Sequence, residues 1–206
     1  MIKKKKLKIG FIGGGLNSAI GVSHKIAATM DNRFELAAGC FSRSSEINTQ
    51  TADAWLVDKK YNSYHDLLKE EKNSLDAVVV ITPTSAHTEI IVEALNSHIP
   101  VICEKTLTTS LSNALEIKSV LEEKDGFLVT TYNYTGYPMI RELKNMIECG
   151  KLGKILHINI EMPQESYIRL NNEGEINYPQ EWRLKDYAIP TLSLDLGTHL
   201  SSMIHF

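Results

Sequence analysis

The chain has 206 residues, of which 43% are hydrophobic, and a formal net charge of -3 at pH 7. This length suffices for the core of one ordinary domain and part of a second. Because this charge gives no broad basic surface, we expect neither nucleic acid nor a membrane surface as partner. No apolar stretch approaches the roughly 20 residues that are needed to cross a bilayer. A small soluble ligand is therefore the favoured partner.

Short apolar runs alternate with longer amphipathic ones along the first two thirds of the chain. Strands are predicted at KIGFIG, ELAAGCF, AVVVIT (77–82), VICEK (101–105) and FLVTTYN (127–133), and helices near 18–30, 45–56, 86–97 and 109–123. The strands are apolar throughout, as expected when helices cover both faces of a sheet. With right-handed crossovers, this alternation predicts an α/β fold, a Rossmann-like doubly wound parallel sheet.

The pattern changes near residue 130, where we place a domain boundary. Later segments are a helix near 138–149, a strand ILHINIEM, a polar stretch from Pro163 to Pro190, and a final helix in LSLDLGTHLSSMIHF. Residues 1–130 thus form the doubly wound domain, and residues 131–206 begin an α+β domain. One strand and two helices cannot close a sheet core. We therefore expect a fragment, a truncated gene product, or a chain completed by a partner.

The three cysteines, Cys40, Cys103 and Cys149, are odd in number and far apart. None belongs to a C-x-x-C motif or to a Cys/His spacing typical of zinc sites. The sequence therefore predicts neither a disulfide framework nor a metal site, and it favours a reducing, cytoplasmic location.

A glycine-rich segment, GFIGGGLNSAIG, follows the first strand directly and opens a helix. Backbone amides and the positive end of a helix can hold a pyrophosphate at such a turn. Gly13 permits the tight turn and Gly15 the close approach of a phosphate, whereas Ser18 stands at the third fingerprint position and Gly21 follows three residues later. A flexible glycine turn is the alternative. The turn residues predicted to contact a dinucleotide are Gly13, Gly15, Leu16 and Asn17.

The second strand ends in Phe41-Ser42-Arg43, where an acidic residue usually binds the ribose hydroxyls. An arginine beside a small hydroxyl residue suits a 2′-phosphate, because a guanidinium can pair with it through two hydrogen bonds. Ser42 and Arg43 are therefore predicted cofactor contacts, and NADP is slightly favoured over NAD. An exposed surface arginine explains Arg43 equally well.

Three further polar segments are predicted at the carboxyl ends of parallel strands: Thr82-Pro83-Thr84 with His87, Glu104-Lys105, and Tyr132-Asn133-Tyr134. Taken singly, they are explained by a turn, a solvated ion pair and a buried aromatic strand end. Their common location favours a ligand crevice instead.

Asp195 and His199 are four residues apart on the last predicted helix, so they share a face. Histidine titrates near neutral pH and can accept a proton from a hydroxyl while hydride leaves the same carbon. A surface or capping interaction is the more common reason for such a pair, so the spacing alone leaves its role open.

In order, the segments GFIGGG, TPTSAH, EKT, TYNYTGYP and DLGTH resemble the Gfo/Idh/MocA oxidoreductases, whose patterns are a glycine turn, T-P-x-x-x-H, E-K-P, Y-N-Y and D-x-G-x-H. The likeness spans nearly the whole chain. It implies that His199 is the general acid/base, that Lys105 positions the substrate hydroxyl, and that Asp195 orients the imidazole. It also implies further cofactor contacts at Thr82, Pro83, His87, Glu104 and Asn133. Thr106 departs from the family proline, which often follows a cis bond.

The resemblance implies hydride transfer between NAD(P) and a secondary alcohol of a sugar, cyclitol or related polyol, without a metal. It places substrate contacts at Tyr134, Trp182 and Arg183, although a buried tryptophan anchoring a loop explains Trp182 as well. A homo-oligomer is implied if the second domain is completed. The alternative function is a non-catalytic dinucleotide-binding remnant. A methyltransferase is disfavoured by the missing acid after the second strand and by the later motifs.

Overall fold

The computed structural model describes residues 5–165, 167–179 and 181–206, and the chain divides into two compact units between Thr131 and Tyr132. Strands and helices alternate in the first unit. Its strands are β1 (Leu7–Gly13), β2 (Phe34–Cys40), β3 (Lys59–Lys60), β4 (Ala77–Ile81), β5 (Val101–Glu104) and β6 (Leu128–Thr131). Its helices are α1 (Ala19–Thr29), α2 (Ser45–Trp55), α3 (Tyr64–Glu71), α4 (His87–Asn96) and α5 (Leu111–Glu123).

All neighbouring strands are parallel, in the order β3-β2-β1-β4-β5-β6. The chain moves outward from β1 to β3, crosses back through α3, and moves outward again from β4 to β6. The strand order therefore reverses between β1 and β4. At such a reversal the carboxyl ends of the strands open into the crevice where doubly wound sheets bind ligands. The predicted Rossmann-like doubly wound parallel sheet is confirmed.

The core occupies both faces of this sheet. Val78 and Val80 pack with residues of α3, α4 and α5, whereas Val79 and Ile81 pack on the opposite face with residues of α2. On that second face, the ring of Trp55 stands edge-on to the buried aromatic residues of β1 and of the segment after β2. Because both faces are covered here, the central strands can be apolar at every position.

β3 and α3 were not predicted from the sequence. β3 consists of two exposed lysines, which give no hydrophobic signal, and it pairs with the end of β2. α3 has eight residues, and its buried positions are Leu67, Leu68 and Glu71. Elements this short carry too little periodic pattern to be recognised without their tertiary contacts.

A buried carboxylate joins these two short elements. Glu71 accepts hydrogen bonds from Lys59 Nζ at 2.9 Å and from Tyr61 Oη at 2.6 Å, and also from the hydroxyl of Ser74. Burial alone would raise the pKa of Glu71, but the hydrogen bonds from Lys59, Ser74 and Tyr61 outweigh it and lower the pKa to about 2. The ionised carboxylate therefore stabilises the folded state by holding the end of α3 against β3.

The second unit contains α6 (Pro138–Glu148) and a π-helical turn (Ser193–Gly197) that continues into α7 (Thr198–His205). The predicted helices near 138–149 and at the end of the chain are thus confirmed. The predicted strand ILHINIEM is wrong, because residues 155–162 form no strand and Leu156 is 86% exposed. A strand needs a neighbour to hydrogen-bond, and among the described residues of this unit the strand pairing is limited to one isolated bridge between Leu170 and Ile176.

Among the described residues, none of the helices combines the length and the apolar character required to span a membrane.

Replacing the buried carboxylate should destabilise the first unit in a pH-dependent manner. Because the folded pKa is lowered from 4.5 to about 2, the stabilisation is fully present above pH 4.5 and is lost as the pH falls towards 2. Glu71→Gln should lower the free energy of unfolding at pH 7 by about 2 kcal/mol, allowing for the solvent around Lys59. Urea denaturation across this pH range measures the difference.

The control for this experiment is Glu70→Gln, since Glu70 is the exposed neighbour on the same helix. It should leave the free energy of unfolding within about 0.5 kcal/mol of the parent chain. A gap between parent and Glu71→Gln that stays constant from pH 7 to pH 2 would contradict the role of the ionised carboxylate.

Candidate functional site

The glycine-rich turn after β1 adopts a backbone conformation that favours glycine. Gly13 and Gly14 have φ angles of 85° and 74°, in the left-handed region that side chains with a Cβ atom rarely adopt. A Cβ atom on Gly13 would also lie 2.6 Å from the carbonyl oxygen of Ile81. The turn therefore fits against the end of β4, at the strand reversal.

Helix α1 lies directly on this turn. A Cβ atom on Gly21 would lie 1.9 Å from the carbonyl oxygen of Gly14, so the close helix approach depends on Gly21 and not on position 18. Ser18 is instead the N-cap of α1, and its hydroxyl accepts a hydrogen bond from the Gly21 N–H at 3.2 Å. The serine at the third fingerprint position is thus explained by capping.

Most backbone amides of the turn are used within the chain. Gly15 N–H donates to Phe41 O at 3.1 Å, Leu16 N–H to Thr51 Oγ1 at 3.1 Å, and Ser18 N–H to Gly15 O at 2.7 Å. None of the hydrogen bonds found among the described residues uses the N–H of Asn17, and Asn17 is an exposed residue. At a helix N-terminus, such an amide suits an anionic ligand.

Two buried polar residues of α2, missed in the sequence analysis, support this region. Thr51 accepts the Leu16 amide, and Asn48 Oδ1 accepts the Phe41 amide at 2.8 Å. Both side chains are fully buried. Their spacing of three residues, which places them on one helix face beside the buried Ala52, was the sequence signal that could have indicated their burial. They were missed because polar residues in a helix pattern are usually assigned to the solvent side.

The segment after β2 places Ser42 and Arg43 at the start of α2. Ser42 Oγ accepts the Ser44 N–H at 3.1 Å, and Ser44 is in turn the N-cap of α2. Arg43 is exposed and forms no ion pair with the described residues. A guanidinium at a helix N-terminus suits a phosphate group.

His87 joins the segments that follow β4 and β5. Its side chain is fully buried, with Nε2 2.8 Å from Thr82 O and Nδ1 2.9 Å from Thr106 O. Burial lowers the pKa of His87, although the backbone hydrogen bonds oppose this effect. Both ring nitrogens are thus used within the chain, and the predicted contact between His87 and a cofactor stays a prediction.

Thr82 has a side-chain hydroxyl group that could form a hydrogen bond with a ligand. Its Oγ1 is buried and has no hydrogen-bond partner among the described residues. Buried hydroxyl groups are normally paired, so this atom fits a bound molecule that supplies the partner. Pro83 follows it at the start of the turn that leads into α4.

The end of β5 carries Glu104 and Lys105. Glu104 Oε2 lies 2.7 Å from His24 Nε2 on α1 and accepts a hydrogen bond from Thr131 Oγ1 on β6 at 2.8 Å. Burial raises the pKa of Glu104, but these hydrogen bonds and the charges of His24 and Lys105 outweigh it and lower the pKa. The carboxylate therefore links three elements. The Lys105–Thr106 bond is cis although position 106 is not proline.

The second unit brings four of its predicted site residues together in two contacts. His199 is 8% exposed, and the ring of Tyr134 stands edge-on to it with centroids 4.8 Å apart. Arg183 Nε donates to Asp195 Oδ2 at 2.9 Å. Each catalytic candidate is thus in contact with a residue predicted to bind substrate: His199 with Tyr134, and Asp195 with Arg183.

Two other residues of this unit were predicted to contact the cofactor or the substrate, namely Asn133 and Trp182. Asn133 is exposed, and its Nδ2 lies 3.5 Å from Tyr137 Oη. The side chain of Trp182 lies outside the described residues.

Comparison with known proteins finds similarity to oxidoreductases. The family model GFO_IDH_MocA, an oxidoreductase family with an NAD-binding Rossmann fold, matches residues 7–132. The oxidoreductase YfiI of Bacillus subtilis is 34% identical over 96% of this chain and 52% of its own length. Glucose-6-phosphate 3-dehydrogenase of the same organism is 27% identical over 97% and 53%, respectively.

A solved structure shows the same fold. The inositol dehydrogenase homolog of Azotobacter vinelandii, complexed with NADH and myo-inositol, is 31% identical, with a TM-score of 0.70 over 73% of this chain and 41% of that chain. The present chain thus spans about half the length of the curated relatives that it matches.

Adding one methyl group at Gly21 should disrupt the contact between α1 and the turn. Gly→Ala normally stabilises a helix by about 1 kcal/mol, but here the new Cβ would meet the Gly14 carbonyl group. Gly21→Ala should therefore lower the free energy of unfolding by about 1–3 kcal/mol, as measured by thermal and urea denaturation. Gly136→Ala is the control, because a Cβ atom there would meet nothing within 4 Å; equal effects of the two variants would argue against the close contact.

Proposed function

The chain belongs to the Gfo/Idh/MocA family of oxidoreductases. On this basis we propose that it functions as an NAD(P)-dependent dehydrogenase or reductase, or as part of one. The substrate would be a secondary alcohol of a sugar, cyclitol or related polyol, or the corresponding ketone. The name of one relative specifies glucose 6-phosphate, and another relative was solved with myo-inositol, which supports a polyhydroxylated substrate.

The observation that carries the proposal is the glycine turn at the strand reversal. Because Gly13 and Gly21 lack a Cβ atom, the turn can pack against the end of β4 and α1 can pack against the turn. The amide of Asn17 and the buried hydroxyl of Thr82 remain for a ligand among the described residues. These features fit a dinucleotide, whose pyrophosphate needs amide donors and whose sugars need polar partners at neighbouring strand ends.

For the adenosine end of the cofactor, we favour NADP over NAD. Arg43 is exposed at the N-terminus of α2 and forms no ion pair with the described residues. Its positive charge, together with the hydroxyl group of Ser42, would attract a 2′-phosphate, whereas NAD offers only ribose hydroxyl groups there.

The catalytic roles follow from the family resemblance and from local contacts. When bound, the nicotinamide ring would accept or supply the hydride. His199, held edge-on by Tyr134, would exchange a proton with the substrate hydroxyl, and Asp195, held by Arg183, would orient the imidazole. Lys105 would position the hydroxyl and stabilise developing negative charge on the oxygen.

The first test is titration of the chain with NADPH and NADH, followed by nicotinamide fluorescence and thermal stability. We expect binding with NADPH preferred. Arg43→Ala should weaken NADPH binding by about tenfold or more, because a charge-assisted pair with phosphate is lost, and should leave NADH binding within about twofold. Arg33→Ala, at a site that is 76% exposed, should change neither affinity.

The two cofactors separate the possible outcomes of this titration. If the chain binds neither cofactor, the dehydrogenase proposal fails. If it binds both cofactors and Arg43→Ala weakens them equally, the proposed NADP preference fails while the dehydrogenase proposal stands.

The catalytic assignment is tested by replacing Lys105 and His199 with alanine and measuring turnover in a screen of polyols. Loss of a positioned proton-transfer group should lower kcat by about 100-fold or more, while NADPH binding by His199→Ala should persist. Lys118→Ala, at a site that is 66% exposed, is the matched control. Parent-level turnover in both variants would remove Lys105 and His199 from the catalytic set.

A further inference from the structure

Thr51 fixes the glycine turn from the side of the protein interior. Its hydroxyl accepts the Leu16 N–H at 3.1 Å and donates to the Ile47 carbonyl oxygen of its own helix at 2.7 Å. Because both hydrogen bonds are formed by one fully buried hydroxyl group, its orientation is set. The Leu16 amide is therefore directed towards α2.

Asn48 fixes the segment after β2 in the same way. Its Oδ1 accepts the Phe41 N–H at 2.8 Å, and its Nδ2 donates to Tyr61 O at 2.8 Å and to Asn62 Oδ1 at 3.3 Å. The donors and acceptors around the amide leave one orientation of the side chain. Asn48 thereby holds the backbone that leads into Ser42 and Arg43.

The two segments are also joined directly. Gly15 N–H donates to the Phe41 carbonyl oxygen at 3.1 Å, so Phe41 is held through its N–H by Asn48 and through its carbonyl group by the turn. Thr51 and Asn48 lie one helical turn apart on α2 and reach the two segments from the same helix face. One rigid helix thus sets the spacing between the two parts of the site.

We propose that Thr51 and Asn48 are positioning residues for the dinucleotide, an inference that rests on the proposed function. Thr51 directs the Leu16 amide inward, which orients the following Asn17 amide for the pyrophosphate that NADPH and NADH share. Asn48 orients the segment bearing Arg43, which meets the 2′-phosphate that NADPH alone carries. Thr51 therefore acts mainly on the affinity for both cofactors, and Asn48 mainly on the preference between them.

The test compares the affinities of variants of the full chain for NADPH and NADH. Thr51→Val keeps the shape of the side chain but leaves the Leu16 amide without its acceptor, and it should weaken both cofactors by the same factor, on the order of tenfold. Thr51→Ser restores the hydroxyl group and should bind within about twofold of the parent chain. Thr49→Val, on the same helix and outside this hydrogen-bond network, is the control.

Asn48→Ala should act on the other part of the site. It should weaken NADPH binding by at least about fivefold more than NADH binding, because the Arg43 segment loses its support. A merely structural role of Asn48 would weaken both cofactors equally, so the ratio of the two affinities decides for Asn48. For Thr51, whose replacement affects both cofactors alike, the deciding observation is the recovery of both affinities in Thr51→Ser, which keeps the hydroxyl group that bonds Leu16 and Ile47.

A measurement on the parent chain decides the matter even if the variants do not fold. Hydrogen exchange followed by NMR should show slow exchange for the Leu16 and Phe41 amides and faster exchange for Asn17. Equal exchange of Leu16 and Asn17 would overturn the inference, as would parent-like cofactor binding by Thr51→Val. A parent chain that binds neither cofactor would instead remove the proposed function, and the inference with it.

Discussion

The site depends on the contact between two glycines. Gly21 on α1 lies so close to the Gly14 carbonyl group that a Cβ atom on Gly21 would be only 1.9 Å from the carbonyl oxygen. This approach brings the N-terminus of α1 onto the turn after β1, so that the helix end and the turn amides form one surface. A side chain at either position would separate the two, and an anion would then meet the turn without the positive end of the helix.

Buried polar side chains preserve this arrangement at the neighbouring strand ends. Thr51 and Asn48 hold the segments after β1 and β2, His87 holds those after β4 and β5, and Glu104 links β5 with α1 and β6. In each case a side chain from one element binds the backbone or side chain of another. The entropy of ordering these segments is thereby lost during folding and not during binding, which favours affinity.

The sequence could predict those features that depend on local pattern. Apolar runs between amphipathic segments predicted the parallel sheet, and the glycine string predicted the turn. Pattern could not predict what depends on tertiary contact. β3 consists of two exposed lysines, and residues 155–162 carry a strand pattern but pair with no strand among the described residues. Asn48 and Thr51 escaped notice because polar residues in a helix pattern are usually assigned to the solvent side, and a shared helix face does not by itself show burial.

The same distinction separates ligand-facing groups from supporting ones. The amides of Gly15 and Leu16 and the ring of His87 belong to predicted cofactor contacts, yet their hydrogen-bonding groups are used within the chain. Among the described residues, the Asn17 amide and the Thr82 hydroxyl have no such bond. A buried or helix-terminal polar group without a partner gains most from a bound molecule. We therefore propose the Asn17 amide and the Thr82 hydroxyl as ligand-facing groups because of their unused hydrogen-bonding capacity, which is a sharper criterion than motif membership.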